Sequence, residues 1–257
     1  MKKQSSKTFA AIIPARYAST RFPGKPLVMI GSKTMIQRVY EQALKSVEMV
    51  YVATDDQRIL EAVGRFRGKA VLTSAEHLSG TDRCSEAVDI IMKETGKKVD
   101  IVLNVQGDEP FIRPEQIDLL RSCFIDESVQ IATLIRKTEK GEDIFNPNHV
   151  KVVLDSEKNA LYFSRAAIPF YRGTAPEEWS EKHVFYKHLG LYAYTVNALK
   201  EITALPGSSL EKAESLEQNR WIENGFKIRT AVTESESISI DTPGDLEKAI
   251  RYLNDFD

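Results

Sequence analysis

The sequence lacks the features that mark membrane, secreted and metal-cluster proteins. Only two of its 257 residues are cysteines, Cys84 and Cys123, and their spacing matches no metal-binding motif. No apolar run approaches the length of a membrane span. The basic start MKKQSSKTF is followed only by the short FAAII, which is too short for the core of a signal peptide. We therefore expect a cytoplasmic protein without membrane insertion, in which both cysteines are plain buried residues.

The chain also lacks a charge excess and the common nucleotide-binding fingerprints. Its formal net charge is −2, so there is no global electrostatic case for nucleic acid or a membrane surface as a partner. Neither the GxxxxGK[ST] loop nor the GxGxxG fingerprint occurs in it. Any anion-binding site must therefore be built from local groups.

What the chain does have is a regular alternation of short apolar runs and amphipathic stretches, without repeats or long linkers. The predicted strands up to residue 135 are FAAII, MVYVAT, KAVLT, VDIVLNV and VQIATLI, and the helices between them are MIQRVYEQAL, QRILEAVGRF, DRCSEAVDIIMKE and PEQIDLLRSCF. This pattern is typical of an α/β fold with a mostly parallel sheet covered on both faces. We expect one domain over residues 1–257.

The pattern changes after about residue 145. We expect a hairpin from VKVVLD and ALYFS, a strand HLGLYAYT, a helix LEKAESLEQNRWIEN ending near Gly225, two strands FKIRTAV and SISID, and a closing helix PGDLEKAIRYLNDF. Residues of about 146–226 therefore look like an inserted hairpin and helix region, after which the chain returns to the main sheet.

Ligands of open α/β sheets bind at the carboxyl ends of the strands. The first strand leads into PARYASTRFPGK, which carries three cations in ten residues, Arg16, Arg21 and Lys25. Backbone N–H groups and cations in a loop between strand and helix favour phosphate. A triphosphate would use three separated cations best, although a solvated basic turn is an equally good interpretation of the loop alone.

Acidic residues end two other predicted strands. VDIVLNV leads into Gln106, Gly107, Asp108 and Glu109, and SISID ends in Asp241. Hard divalent cations take oxygen ligands, and Mg²⁺ is commonly held by one or two carboxylates together with phosphate oxygens. A helix-capping role is the simpler interpretation of Asp241 or Thr242 taken alone, whereas the pair of strand-end carboxylates favours a metal site.

The other strand ends are less specific. In ATDDQR, a helix cap by Asp55 or Asp56 is favoured over a substrate contact. In SGTDR, Thr81 suits a cap, and Arg83 fits a ligand contact and a surface charge about equally. His188 and Tyr192 share one face of a predicted strand, and Glu217 alone would be an ordinary charge on a helix surface.

Nine blocks in order over nearly the whole chain resemble the 3-deoxy-manno-octulosonate cytidylyltransferase (CMP-Kdo synthetase) family. They are IIPARYASTRFPGKPL, VATDD, SGTDR, LNVQGDEPFI, NPNHVKVV, ALYFSRAAIPF, KHLGLYAY, SLEQNR and DTPGDLEKA. The resemblance implies the reaction of CTP with 3-deoxy-manno-octulosonate (Kdo) to give CMP-Kdo and diphosphate, for lipopolysaccharide biosynthesis. It also implies a Rossmann-like nucleotide-diphospho-sugar transferase fold, a Mg²⁺ cofactor and a homodimer, in which the inserted region serves dimerisation and sugar binding.

The same resemblance assigns roles residue by residue. The contacts to the CTP phosphates are matched by Arg16, Arg21 and Lys25, and the metal ligands by Asp108 and Asp241. Gln106 falls in the Q-G-D block, and a block near the nucleotide is matched by Gly80, Thr81 and Arg83. The sugar-acid pocket is matched by Arg165, His188, Tyr192, Glu217 and Gln218. Arg16, Lys25 and Asp108 are the expected catalytic residues. No general base stands out.

Two segments depart from the family pattern. The helix around LEQNR is otherwise not distinctive, and the TAPEEWSEKHVF connection is long, which affects the dimer or the access route. Two other functions stay open at this point. One is a cytidylyltransferase for a related acid sugar such as 8-amino-Kdo or sialic acid, and the other is a nucleotide-binding module without catalysis.

Overall fold

The structure is a computed structural model that describes residues 7–18, 22–235 and 238–256, the last three by backbone alone. The strands are β1 (Phe9–Ala15), β2 (Met29–Ile30), β3 (Lys33–Thr34), β4 (Met49–Thr54), β5 (Ala70–Leu72), β6 (Ile101–Asn104), β7 (Ile131–Lys137), β8 (Lys151–Leu154), β9 (Ala160–Ser164), β10 (Tyr186–Thr195) and β11 (Ile228–Val232). The helices are α1 (Met35–Leu44), α2 (Gln57–Arg65), α3 (Gly80–Thr95), α4 (Pro114–Ser122), α5 (Trp179–Lys182), α6 (Val196–Thr203), α7 (Ser209–Glu214), α8 (Glu217–Glu223) and α9 (Pro243–Phe256). Single 3₁₀ turns lie at Lys25–Leu27, Cys123–Ile125 and Pro176–Glu178.

The described residues fall into two compact units. The first comprises the residues up to Asp118, the segment Ala193–Thr203 and the residues from 238 onward. The second comprises Leu119–Tyr192 and the residues from Ala204 to 235, and so contains most of the predicted insertion. The single domain with an insertion over about 146–226 stays a prediction.

The first unit is built on a parallel sheet in the order β6-β1-β4-β5. All residues of β4 and β6 are buried, because helices cover the strands. Helix α3 packs on β1 and α6, while α1 and α2 pack on β4. A further cluster joins Ile30, Phe111 and Ile240 to helix α9 through Ala249. The prediction of a mostly parallel sheet between helices is confirmed here.

The second unit contains both parallel and antiparallel strand pairings. Strands β7 and β11 are parallel, whereas β8 pairs antiparallel with both β9 and β10. The predicted hairpin is confirmed as β8 and β9, with Lys151 opposite Ser164 in the register. This pairing brings residue 165 next to the start of β8, which matters for the polar contacts described below.

Two predicted elements are wrong. The helix expected over 210–224 is two helices, because Ser215 adopts a left-handed conformation with φ 51° and ψ 48°. Ser208 and Glu211 form a capping box that starts α7, and a new helix then begins at Glu217. The strand expected at SISID is also absent, since the described residues 238–241 form no strand. Ile240 instead donates its backbone N–H to the carbonyl of Asp108 at 3.0 Å.

Within the described ranges, no helix has the combination of length and apolar character that a membrane crossing requires.

Both cysteines are free thiols. Cys84 is buried, as expected, whereas Cys123 keeps some accessible surface.

Candidate active site

The loop after β1 presents Lys25 through a tight turn. Gly24 has φ +70°, and its N–H donates to the carbonyl of Tyr17 at 2.9 Å. A glycine accepts this left-handed conformation without steric cost. Lys25 then opens the 3₁₀ turn, and its side chain is only 15% exposed. Arg21 lies outside the described residues, so its predicted phosphate contact stays a prediction.

Lys25 joins the two predicted metal-ligating carboxylates. Its Nζ lies 2.7 Å from Oδ2 of Asp108 and 3.2 Å from Oδ1 of Asp241. These partners are 83 and 216 residues away in the sequence. The two aspartates therefore converge on one positive charge, and their role as metal ligands stays a prediction.

The turns that carry the two aspartates are held by backbone contacts. The backbone of Gly107 lies so close to β1 that a Cβ there would be 2.8 Å from the carbonyl oxygen of Pro14. Thr242, rather than Asp241, caps helix α9. Its Oγ1 accepts from the Asp245 N–H, and the Asp245 carboxylate accepts from the N–H and the hydroxyl of Thr242. The side chain of Asp241 is therefore available for Lys25.

These residues surround a cavity of about 410 Å³ in the first unit. Seven of the predicted site residues line it: Arg16, Lys25, Gly80, Arg83, Gln106, Asp108 and Asp241. Its volume lies in the range of small-molecule pockets, about 300–1,000 Å³. The cavity thus brings together the residues that follow β1, β5 and β6, together with the segment that precedes α9.

Arg83 is not a surface charge, and its contact with a ligand stays a prediction. It is 1% exposed, and its guanidinium donates to Thr73 Oγ1 at 2.6 Å and to Asp55 Oδ2 at 3.1 Å. Burying a charge is costly unless it is paired, so Asp55 is the partner that makes this position tolerable. Asp55 therefore has a role beyond the helix cap that was favoured for the ATDDQR motif, and Asp56 is the residue that caps α2.

The expectation that Thr81 caps α3 is wrong. Ser79 is the cap, and it forms a capping box with Asp82, with Ser79 Oγ accepting from the Asp82 N–H at 3.1 Å. Thr81 is the second residue of the helix, and its exposed fraction is 3%. Gly80 packs against Pro14, where a Cβ would lie 3.1 Å from the proline ring, so the helix start is pressed against the end of β1.

The donor set fits a hard divalent ion. No group of three or more His, Cys, Asp and Glu side chains gathers for a metal within the part of the chain that the structure describes. Asp108 and Asp241 nevertheless reach one cationic point, the Lys25 ammonium. Two carboxylates completed by phosphate oxygens and water are a usual environment for Mg²⁺.

The residues predicted to bind the sugar acid lie in the second unit. Nε2 of His188 lies 3.2 Å from the backbone nitrogen of Gly190 and 3.0 Å from Thr133 Oγ1, both within hydrogen-bonding distance. The ring also packs on Phe163 and Tyr192, at centroid distances of 4.9 and 5.2 Å. Burial lowers the pKa of His188 to about 3, and the imidazole is therefore neutral at physiological pH.

Arg165 makes its contacts with backbone carbonyls. Its Nε donates to the carbonyl of Glu214 at 2.7 Å, its Nη1 to that of Pro147 at 3.0 Å, and its Nη2 to that of Ser215 at 3.4 Å. The guanidinium therefore joins the end of β9 to the junction between α7 and α8. A contact from Arg165 to a sugar carboxylate stays a prediction.

Two charged residues around Arg165 were not anticipated from the sequence. Glu214 accepts from Ser164 Oγ at 2.6 Å and from the Arg165 N–H at 2.9 Å, and although burial opposes this, these bonds hold the pKa of Glu214 below its ordinary value. Lys151 is fully buried, and its Nζ donates to the carbonyls of Asn146 and Arg165 at 2.9 and 2.6 Å. Burial lowers the pKa of Lys151. Only the hairpin register, which places Lys151 opposite Ser164, could have indicated this contact.

Helix α8 brings the remaining predicted residues to the same unit. Gln218 is 5% exposed, and Glu217 accepts from Arg220 at 3.1 Å. Their neighbour Asn219 fixes the helix on β9, because its side-chain amide exchanges two hydrogen bonds with the backbone of Phe163. Tyr192 on β10 packs edge-to-face on Trp221 of the same helix.

Comparison with known proteins gives consistent matches over most of the chain. A family model described as Cytidylyltransferase matches residues 10–229. The 3-deoxy-manno-octulosonate cytidylyltransferase of Parabacteroides distasonis is 56% identical over 249 residues, covering 95% of this chain and 98% of that protein. The protein of the same name from Bacteroides thetaiotaomicron is 56% identical over 248 residues, with the same coverage of 95% and 98%. A solved structure of CMP:2-keto-3-deoxy-manno-octonic acid synthetase complexed with CTP is similar with a TM-score of 0.87 and 42% identity, covering 97% of this chain and 99% of that one.

Proposed function

The chain belongs to the 3-deoxy-manno-octulosonate cytidylyltransferase family, and from this premise we propose that it transfers CMP from CTP to Kdo and releases diphosphate. The single observation that carries the proposal is the cavity of the first unit, in which Lys25 meets six other residues of the family's motifs. The broken metal pair that a non-catalytic module would have is not found, since Asp108 and Asp241 converge on the same atom.

The chemistry is an in-line displacement at the α-phosphorus. The C2 hydroxyl of Kdo attacks, and diphosphate leaves from the opposite side. Such transfers are catalysed mainly by positioning and by charge stabilisation. Arg16 and Lys25 line the cavity and supply positive charge to the triphosphate and to the departing diphosphate. Arg83 has a different role in this proposal, because its ion pair with Asp55 fixes the wall of the cavity.

Mg²⁺ is part of the proposal, with Asp108 and Asp241 as its protein ligands. When bound, the ion would neutralise phosphate charge and orient the phosphate oxygens. Lys25 then contributes a second positive charge beside the two carboxylates. Chelation with EDTA should abolish diphosphate release, and added Mg²⁺ should restore it. Full activity after chelation would contradict the assignment of these two aspartates.

The sugar acid is assigned to the polar residues of the second unit. The neutral His188 can form a hydrogen bond with a hydroxyl but cannot neutralise a carboxylate. Arg165 is the cation proposed for the carboxylate, and it would have to exchange one or more of its carbonyl contacts for the substrate. Tyr192, Glu217 and Gln218 supply the remaining polar contacts.

A homodimer is proposed on the evidence of an apolar surface in the second unit. Phe170, Phe145 and Val184 are 76%, 47% and 49% exposed, and both phenylalanines pack on the buried Trp179. Exposed apolar clusters of this kind commonly mark protein interfaces. Light scattering should give twice the monomer mass of 29.0 kDa. A monomer across the micromolar range would refute the proposal.

The decisive experiment measures diphosphate release from CTP with a panel of sugar acids: Kdo, 8-amino-Kdo and sialic acid. We expect release with Kdo, and Asp108→Asn should lower kcat by about 10²–10³ because charge stabilisation is lost in the transition state. Asp89→Asn is the matched control, since it removes an exposed carboxylate on α3 that pairs with Lys200.

The outcomes separate the alternatives. Preference for sialic acid or 8-amino-Kdo would replace the proposed acceptor. CTP binding without diphosphate release from any acid would favour the non-catalytic module. Near-normal turnover by Asp108→Asn, with an unchanged circular dichroism spectrum, would remove Asp108 from the metal site.

A further inference from the structure

The ATDDQR motif is not fully explained by the site described above. Asp55 pairs with the buried Arg83, and Asp56 caps α2. Arg58, the last residue of the motif, is mostly exposed and lines no part of the cavity. Its guanidinium nevertheless points to the described part of the loop after β1, residues 16–18 and 22–25, which we call the basic loop.

Arg58 stacks on an aromatic ring of that loop. Its guanidinium carbon lies 3.3 Å from the centroid of the Tyr17 ring. The same ring packs on the backbone of Gly24, where a Cβ would lie 3.1 Å from the nearest ring carbon. The carbonyl of Tyr17 also accepts the Gly24 N–H. Tyr17 therefore contacts the far end of its own loop through both its side chain and its backbone.

The guanidinium is held in a single orientation. Asp56 accepts from Nε of Arg58 at 2.9 Å and from Nη2 at 2.6 Å, and the Arg58 backbone N–H donates to the same carboxylate. A bidentate pair of this kind fixes the plane of the guanidinium as well as its position. The start of α2, which follows the strand next to β1, thus supports the Tyr17 ring from outside the loop.

The contact between Tyr17 and Gly24 bears on the cavity because Gly24 directly precedes Lys25, which lines the cavity. Gly24 is left-handed, and the next residue is Lys25, whose ammonium lies between Asp108 and Asp241. If the Tyr17 ring moved, the backbone conformation of Gly24 would no longer be fixed. The direction in which the Lys25 side chain leaves the loop would then change as well. Preorganised loops lose less conformational freedom when they bind an anion.

We propose that Tyr17 and Arg58 are positioning residues that hold the basic loop in its phosphate-binding shape without touching CTP. The inference rests on the proposed function, because that function makes the triphosphate the ligand of the loop. It gives Arg58, the last residue of the ATDDQR motif, a role in positioning the loop that follows β1, the strand next to β4.

The test uses Arg58→Gln and Tyr17→Leu in the full chain. CTP binding is measured by calorimetry without sugar, and KM is measured for both substrates. Each variant should bind CTP about two- to fivefold more weakly, the factor that corresponds to one exposed cation–π contact. The KM for Kdo should be unchanged. The matched control is Arg65→Gln, which removes an exposed arginine from the last turn of the same helix.

Two further variants separate positioning from general stability. Tyr17→Phe keeps the ring and should restore CTP affinity relative to Tyr17→Leu. If Arg58 acts through Tyr17, Arg58→Gln should add little in the Tyr17→Leu background. Additive effects, unchanged CTP affinity, or equal rises in both KM values would overturn the proposal. Wild-type protein that binds CTP but releases no diphosphate would refute the proposed function and leave this binding test intact.

Discussion

His188 gives a quantitative prediction about acid stability. The backbone N–H of Gly190 donates to its Nε2, and burial lowers its pKa from 6.5 to about 3. Between these two values the unfolded chain binds a proton that the folded chain does not bind. Stability therefore falls as the pH falls from about 6.5 towards 3, and this contribution is fully present above 6.5.

The magnitude follows from the two pKa values. Relative to pH 8, the linkage of this one group lowers the free energy of unfolding by about 2 kcal/mol at pH 5 and about 3 kcal/mol at pH 4. Other groups add their own pH dependence, so the term must be isolated by substitution. In His188→Gln the extra loss is absent, and the stability difference between wild type and variant should shrink by about 2 kcal/mol from pH 8 to pH 5.

Urea unfolding at pH 8, 6.5 and 5 measures this difference. His183→Gln, which removes an exposed histidine of the same unit, is the control and should keep the wild-type slope. The C2–H resonance of His188 in the folded protein gives an independent reading, since it should not move between pH 8 and pH 5. A resonance that titrates near pH 6.5, or parallel stability curves for wild type and His188→Gln, would refute the reasoning.

Two other predictions concern close contacts around the two substrate regions. Gly107→Ala places a Cβ 2.8 Å from the Pro14 carbonyl oxygen. The resulting strain of about 1–3 kcal/mol should displace the turn and lower kcat/KM for CTP about tenfold. The control is Gly64→Ala on an open helix surface, which should leave activity unchanged. Lys151→Met leaves two partly buried carbonyls, those of Asn146 and Arg165, without this donor and should lower the free energy of unfolding by about 2 kcal/mol. It should also raise the KM for Kdo more than the KM for CTP, and an equal rise in both would count against it.

Much of the fold could be predicted from periodicity. The bounds of α1 and β4 are those that the pattern indicates, because the apolar residues recur at helical spacing in one and form a continuous run in the other. The failures have local causes. The helix over 210–224 has no Gly or Pro that would indicate its break at the left-handed Ser215. Arg165 donates to the carbonyls of Glu214 and Ser215 at this break, contacts that the local sequence does not show.

The candidate site was only partly predictable. Ser79, rather than Thr81, caps α3, and this difference of two residues lies within the uncertainty of any helix boundary read from sequence. The roles of Arg83 and Arg165 were not decidable, because an arginine next to a strand end can serve a ligand, a carboxylate or a carbonyl. The structure shows Arg83 paired with Asp55 and Arg165 on three carbonyls.

By itself, the sequence determined the alternating α/β pattern, the positions of the cations and of Asp108 after strands, and the motif order that identifies the family. Those features depend on residue type and spacing, which a linear chain displays directly. Only the tertiary structure decided which charges meet. Lys25 finds Asp108 and Asp241 across 83 and 216 residues, and the buried Arg83 finds Asp55 across 28. Partners this distant are chosen by strand order and by the turns that follow each strand, and neither is present in local sequence.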